Sequence, residues 1–141
     1  MKRKASAIWS GGLKDGRGAI STESGVLKQT QYSFGTRFEN GVGTNPEELV
    51  AAAHAGCFTM ALSAELGKAG MTAERLETTA TVTMDKLEIG WTVTEIHLDV
   101  AAKIPGAGAP AFEVAASAAK DNCPISRLLN AKITMRAALQ S

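Results

Sequence analysis

The segment that opens with Asn45-Pro46-Glu47-Glu48 constrains the fold more than any other, because it begins a helix unusually long for a chain of 141 residues. Asn45 can accept backbone N–H bonds as the N-cap, and Pro46 suits the first helical position. Two carboxylates then sit at the positive end of the helix dipole. The pattern runs on through Leu49, Ala53, Phe58, Met60, Leu62 and Leu66 to about Gly70. Alanine lines it, so neighbours can approach its backbone closely. A helix of this kind belongs at the centre of a structure, and the rest of the chain must cover it.

The flanking segments supply that cover. The first 40 residues are punctuated by glycine and read as short strands over Lys4–Trp9, Gly18–Thr22 and Gln31–Phe34. Apolar and polar residues alternate over Leu76–Met84 and again over Trp91–Val100, which predicts two half-buried antiparallel strands within residues 74–103. Helices follow over 110–129, from Pro110 to about Lys120 and from Pro124 to Leu129, and a strand closes the chain at 131–140. Residues 1–141 therefore read as one α+β domain, its antiparallel sheets packed around long central helices. No repeat or linker interrupts it.

Composition narrows the function classes. With a formal net charge of +1 and 21% charged residues, no basic face points to nucleic acid or a membrane surface. The apolar stretch after Lys2-Arg3-Lys4 is too short for a signal peptide, and no run reads as long and apolar enough to cross a bilayer. A cytoplasmic location is expected. In that compartment two cysteines point to catalysis, transient oxidation or metal binding rather than a permanent crosslink.

Those cysteines differ in their surroundings. Cys57 lies in the helical run Ala53-His54-Ala55-Gly56-Cys57-Phe58, where a small buried core residue is the plain reading. Cys123, in Asp121-Asn122-Cys123-Pro124-Ile125-Ser126, stands where a new helix begins, beside unpaired N–H groups that favour a thiolate. On position alone Cys123 is the better nucleophile. Spacing does not say whether the two sulfurs meet, since they lie 66 positions apart. A zinc site competes for the same residues: His54 and Cys57 share a helical face, and Cys123 with His97 would complete a set of four. No close C-x-x-C or H-x-x-x-H pairing supports that set, and His97 alternates with Ile96 and Leu98 as a residue on the polar side of a strand.

Arg37 stands among aromatic residues near a turn. It reads either as a snorkelling surface residue or as a forked anion clamp able to stabilise a thiolate. Glu47 would hold it in place, or would simply be a carboxylate favoured in the first turn. Glu47 and Cys57 are ten residues apart, about 15 Å along a continuous helix. A second copy of the chain is the simpler source of Arg37 and Glu47, which predicts a site at a twofold interface with the alanine-rich helices near the axis.

The segments Gly43-Thr44-Asn45-Pro46-Glu47-Glu48-Leu49, Ala52-Ala53-His54-Ala55-Gly56-Cys57-Phe58 and Asn122-Cys123-Pro124-Ile125-Ser126 closely resemble the OsmC/Ohr family of osmotically inducible and organic hydroperoxide resistance proteins. Thr22–Leu27 and Thr36-Arg37-Phe38-Glu39 are similar to the OsmC branch. The resemblance implies an intertwined homodimer with two interfacial sites and no metal or organic cofactor. It also implies a cysteine-based, peroxiredoxin-like peroxidase serving stress defence, which prefers organic hydroperoxides to hydrogen peroxide and is recycled by an external dithiol. Cys57 becomes the peroxidatic thiol, reversing the order read from helix position, and Cys123 the resolving thiol within the same subunit. Arg37 and Glu47 match the activating ion pair, with Glu48 and His54 as supporting candidates. Phe34, Phe58 and Met60 are candidates to line an alkyl channel or to be plain core. Two rival readings keep the fold: a non-enzymatic thiol redox sensor, and a structural dimer with inert thiols.

Overall fold

The computed structural model describes residues Met1–Gln140. Three strands open the chain, β1 (Ala5–Ser10), β2 (Arg17–Thr22) and β3 (Thr30–Tyr32), followed by the short helix α1 (Phe34–Phe38) and the long helix α2 (Pro46–Lys68). A strand pair follows, β4 (Arg75–Leu87) and β5 (Gly90–Lys103), and then helices α3 (Ala109–Asn122) and α4 (Pro124–Leu128) and the last strand, β6 (Lys132–Gln140). The α+β class expected from the sequence is observed, with two three-stranded sheets in the orders β1-β2-β3 and β4-β5-β6. The chain divides into two compact units, Met1–Leu49 and the remainder from Val50 onward.

In the first unit, β1, β2 and β3 pair antiparallel, and the register aligns Trp9, Gly18 and Tyr32 across the three strands. The Trp9 and Tyr32 rings lie 5.5 Å apart over Gly18. A Cβ at Gly18 would run into the Tyr32 ring and come within 2.7 Å of Trp9, so the glycine is what lets the two rings meet. The strand expected over Gln31–Phe34 ends at Tyr32 instead. Ser33 caps α1, accepting from the Thr36 N–H at 3.2 Å while the Thr36 hydroxyl accepts from the Ser33 N–H at 2.8 Å. This reciprocal cap satisfies two otherwise orphaned donors and outweighs the strand preference of the preceding residues. Arg37 consequently sits on a helix rather than at a turn.

The cap read at the start of α2 is present. Asn45 Oδ1 accepts from the Glu48 N–H at 2.8 Å, and Asn45 Nδ2 donates to the Thr36 carbonyl at 3.0 Å, tying α1 to the start of α2. Gly43 makes the approach possible. Its φ of +137° is a conformation that side chains disfavour, and a Cβ there would collide with the Gln31 carbonyl.

In the second unit, β5 buries Ile96, Leu98, Val100 and Ala102 at every second position. Helix α2 contributes Phe58, Leu62 and Leu66 to the same core, and α3 contributes Phe112, Ala115, Ala116 and Ala119. Two expectations fail here. The sheet is not wholly antiparallel: β4 pairs antiparallel with β5, but β6 runs parallel to β5 from Glu95↔Lys132 to Lys103↔Gln140. The segment carrying α3 and α4 is long enough to return the chain to the start of β5, as a parallel partner requires. Nor is every segment too short or too polar to cross a bilayer. Helix α2 has 23 residues, and an 18-residue stretch of it has a mean hydropathy of 1.4, enough by length and composition alone. That apolarity serves the core on one face, while Ala52, Ala53, Gly56, Met60 and Ala64 are exposed on the other.

Candidate active site

The two cysteines converge. Cys123 is fully buried at the junction of α3 and α4, where it ends one helix and caps the next. Cys57 is half-buried on α2. Cys123 Sγ donates to Cys57 Sγ at 2.9 Å, and both thiols are free. Pro124 follows at the first position of α4, so the helix starts without an N–H at that point and the backbone turns sharply at the sulfur.

Cys57 is not a thiolate by virtue of these surroundings. Burial, above all, pushes its thiol up from the ordinary value of 9.0, and the hydrogen bond with Cys123 adds to that when Cys57 is the sulfur that holds the proton. The Ile125 N–H, hydrogen-bonded to the Cys57 sulfur, opposes the shift, whereas any charge on Cys123 reinforces it. Either sulfur can hold the shared proton. Donation from Cys123 to Cys57 is the arrangement that suits an anionic Cys57. A cation beside Cys57 is what the chemistry of a reactive thiol still requires.

The first unit contains a cation with a fixed orientation. Arg37 Nε donates to both oxygens of Glu47, at 3.1 and 3.2 Å, and Nη2 donates to Oε1 at 2.7 Å. The fork fixes the plane of the guanidinium. Glu48 is engaged elsewhere, accepting from the Thr44 hydroxyl at 2.7 Å, so the two adjacent carboxylates have separate partners. The Arg37 guanidinium also lies 5.4 Å from the centre of the Phe38 ring. Trp9, Leu13, Tyr32, Phe34, Phe38 and Pro46 wall an apolar cavity of about 280 Å³ in this unit, with Arg37 at its lining.

Of the three candidates for a channel, Phe34 alone lines that cavity. Phe58 is fully buried core and Met60 is 78% exposed. The four-ligand metal set is not brought together. His97 bonds Thr134 on β6 at 2.7 Å, on the face of β5 opposite Ile96 and Leu98. Among the described residues no three of histidine, cysteine, aspartate and glutamate converge. His54 is fully buried and its Nε2 meets the Ser126 hydroxyl at 2.7 Å. Sequence reasoning gave Ser126 no role. The signal was its spacing, three residues beyond Cys123 as His54 is three before Cys57.

The comparisons agree with the motifs. The family model described as OsmC-like protein matches residues 38–137. A peroxiredoxin OsmC of Escherichia coli (strain K12) is 49% identical over 141 residues, covering 100% of this chain and 99% of the relative, and one from Shigella flexneri matches equally. An OsmC-like protein of unknown function from Vibrio cholerae superposes with a TM-score of 0.78 at 15% identity, across 98% of this chain and 99% of the other. The organic hydroperoxide resistance protein OhrB of Bacillus subtilis does so at 0.68 and 23%, across 97% and 98%. At those identities the two structures speak for the fold, whereas the family model and the full-length relatives speak for descent. The chain belongs to the OsmC-like family.

Proposed function

We propose that this protein reduces organic hydroperoxides in preference to hydrogen peroxide, through a Cys57 sulfenic acid that Cys123 resolves as a disulfide within one subunit. The chain is a cysteine-based peroxidase. The observation that carries this mechanism is the 2.9 Å separation of the two sulfurs. A disulfide bond is about 2.05 Å long, so closure needs a relative shift of roughly 1 Å.

In the first step the Cys57 thiolate attacks the terminal oxygen of R–O–O–H. The O–O bond breaks, a proton is taken up, and the alcohol R–OH leaves with Cys57 as the sulfenic acid. Cys123 then attacks that sulfur and water departs. An external dithiol reduces the Cys57–Cys123 disulfide and is itself oxidised to a cyclic disulfide. Arg37 stabilises the charge that develops on the departing oxygen, and Glu47 holds its fork in plane. The aromatic cavity beside Arg37 favours an alkyl substituent over the bare hydroxyl of hydrogen peroxide.

Arg37 and Glu47 reach Cys57 from a second copy of the chain in this reading. Two observations support it. Helix α2 is unbroken, so Glu47 and Cys57 of one chain stay about 15 Å apart along it. Gly56, next to Cys57, lies on an exposed face where a Cβ would meet nothing within 4 Å.

Turnover of cumene hydroperoxide and of hydrogen peroxide with dihydrolipoamide tests the reading. The organic substrate should be consumed at least tenfold faster, Cys57→Ser should abolish turnover, and Cys123→Ser should give one oxidation followed by sulfinic acid at Cys57. Equal rates, or an active Cys57→Ser enzyme, would refute it.

A further inference from the structure

The reduced thiol pair is not the only bond between α2 and α4. One turn before Cys57, the fully buried His54 meets Ser126 at 2.7 Å, and Ser126 lies three residues after Cys123. The ring depends on that bond alone, since its Nδ1 is buried without a partner. An orphaned nitrogen costs desolvation free energy, and an apolar pair of the same shape would avoid that cost. Packing therefore does not account for the arrangement.

Helix α4 has reason to need such a fastening. It has five residues, too few to hold its own conformation, and its Cys123 cap makes no side-chain hydrogen bond to it. Yet its cap is the resolving sulfur, 2.9 Å from Cys57. A small rotation of α4 would move that sulfur out of line with Cys57.

We propose that His54 and Ser126 are a positioning pair that holds α4 in register with α2, so that Cys123 is set for attack on the Cys57 sulfenic acid. The pair does not touch the peroxide. It acts on the second step, where a sulfenic acid either closes on Cys123 with loss of water or meets another peroxide and becomes sulfinic acid. Faster closure means resistance to over-oxidation. This rests on the peroxidatic role of Cys57 proposed above.

The experiment uses the full-length protein with Ser126→Ala, Ser126→Thr and His54→Gln. Sulfenic acid formation is measured by dimedone trapping, disulfide closure by quenched-flow mass spectrometry, and sulfinic acid by mass spectrometry across a cumene hydroperoxide series. Ser126→Ala should slow closure about tenfold, the scale of one buried hydrogen bond, and leave the first oxidation within about twofold. Sulfinic acid should then appear at correspondingly lower peroxide. Ser126→Thr keeps the hydroxyl and should restore closure; His54→Gln, which retains an amide at the far end of the chain, should fall between.

Closure at the wild-type rate in Ser126→Ala would overturn the proposal, as would equal slowing of both steps. The wild-type protein separates this from failure of the peroxidase reading: if it forms no Cys57–Cys123 disulfide with cumene hydroperoxide, the reading of the site itself is wrong. Ser126→Ala is the smaller side chain with better helix propensity, so it should fold even where His54→Gln does not.

Discussion

Two titrating side chains in the second unit work against their surroundings. Burial pushes the Cys57 thiol up, while a peroxidatic role requires the thiolate near neutral pH, and on the proposed mechanism the Arg37 guanidinium supplies the difference. The alkylation rate of Cys57 against pH, in a Cys123→Ser background, should therefore have its midpoint displaced upward by Arg37→Ala. An unmoved midpoint would remove Arg37 from the site. Burial acts on His54 in the opposite sense and lowers it from 6.5, because the imidazolium is the form that loses hydration. The unfolded chain then takes up the proton first. The contribution is intact above pH 6.5 and is lost as pH falls below it. Urea unfolding of the reduced protein at about pH 7.5 and about pH 5 should show a larger loss for the wild type than for His54→Gln, which has nothing to protonate.

At the scale of elements, the start of α2 decides whether the ion pair can form. Asn45 caps α2 with one side of its amide and holds α1 with the other, and α1 carries Arg37. Asn45→Ala should cost about 1 kcal/mol of stability from the lost cap. It should also slow peroxide turnover by more than Glu48→Gln does, because Glu48 engages Thr44 and not Arg37. Denaturation and steady-state assays on the two variants would measure both effects. This cap was legible in the sequence because a capping residue, a proline and a carboxylate pair act within one turn. The α1 helix was not, since Ser33 and Thr36 make a cap only once Gly35 and Arg37 adopt helical angles, and the neighbouring aromatic residues favour a strand.

For the whole molecule, the sharing of a site between two copies is the claim with the clearest arithmetic. When Cys57→Ser and Arg37→Ala chains are mixed one to one after denaturation, each mixed dimer contains one site with both residues intact. Random pairing should restore about a quarter of wild-type turnover from two inactive variants. Zero recovery, with mixed dimers present by native mass spectrometry, would place Arg37 and Cys57 of the same chain in one site. The β5–β6 pairing belongs to this scale too. Alternation in Lys132–Leu139 identifies a strand, but its direction depends on the length and path of the α3–α4 connection.

What the sequence determined alone are features whose physics closes within a few residues: the capped alanine-rich helix, the alternating strands, and the helix break at Cys123-Pro124. The motifs around Asn45, Cys57 and Cys123 added the family. Only the tertiary structure decided that sulfurs 66 positions apart lie 2.9 Å from each other, that Glu47 rather than Glu48 takes Arg37, and that His54 finds Ser126. Each of these depends on the packing of whole elements, and no local pattern encodes a distance between residues on different helices.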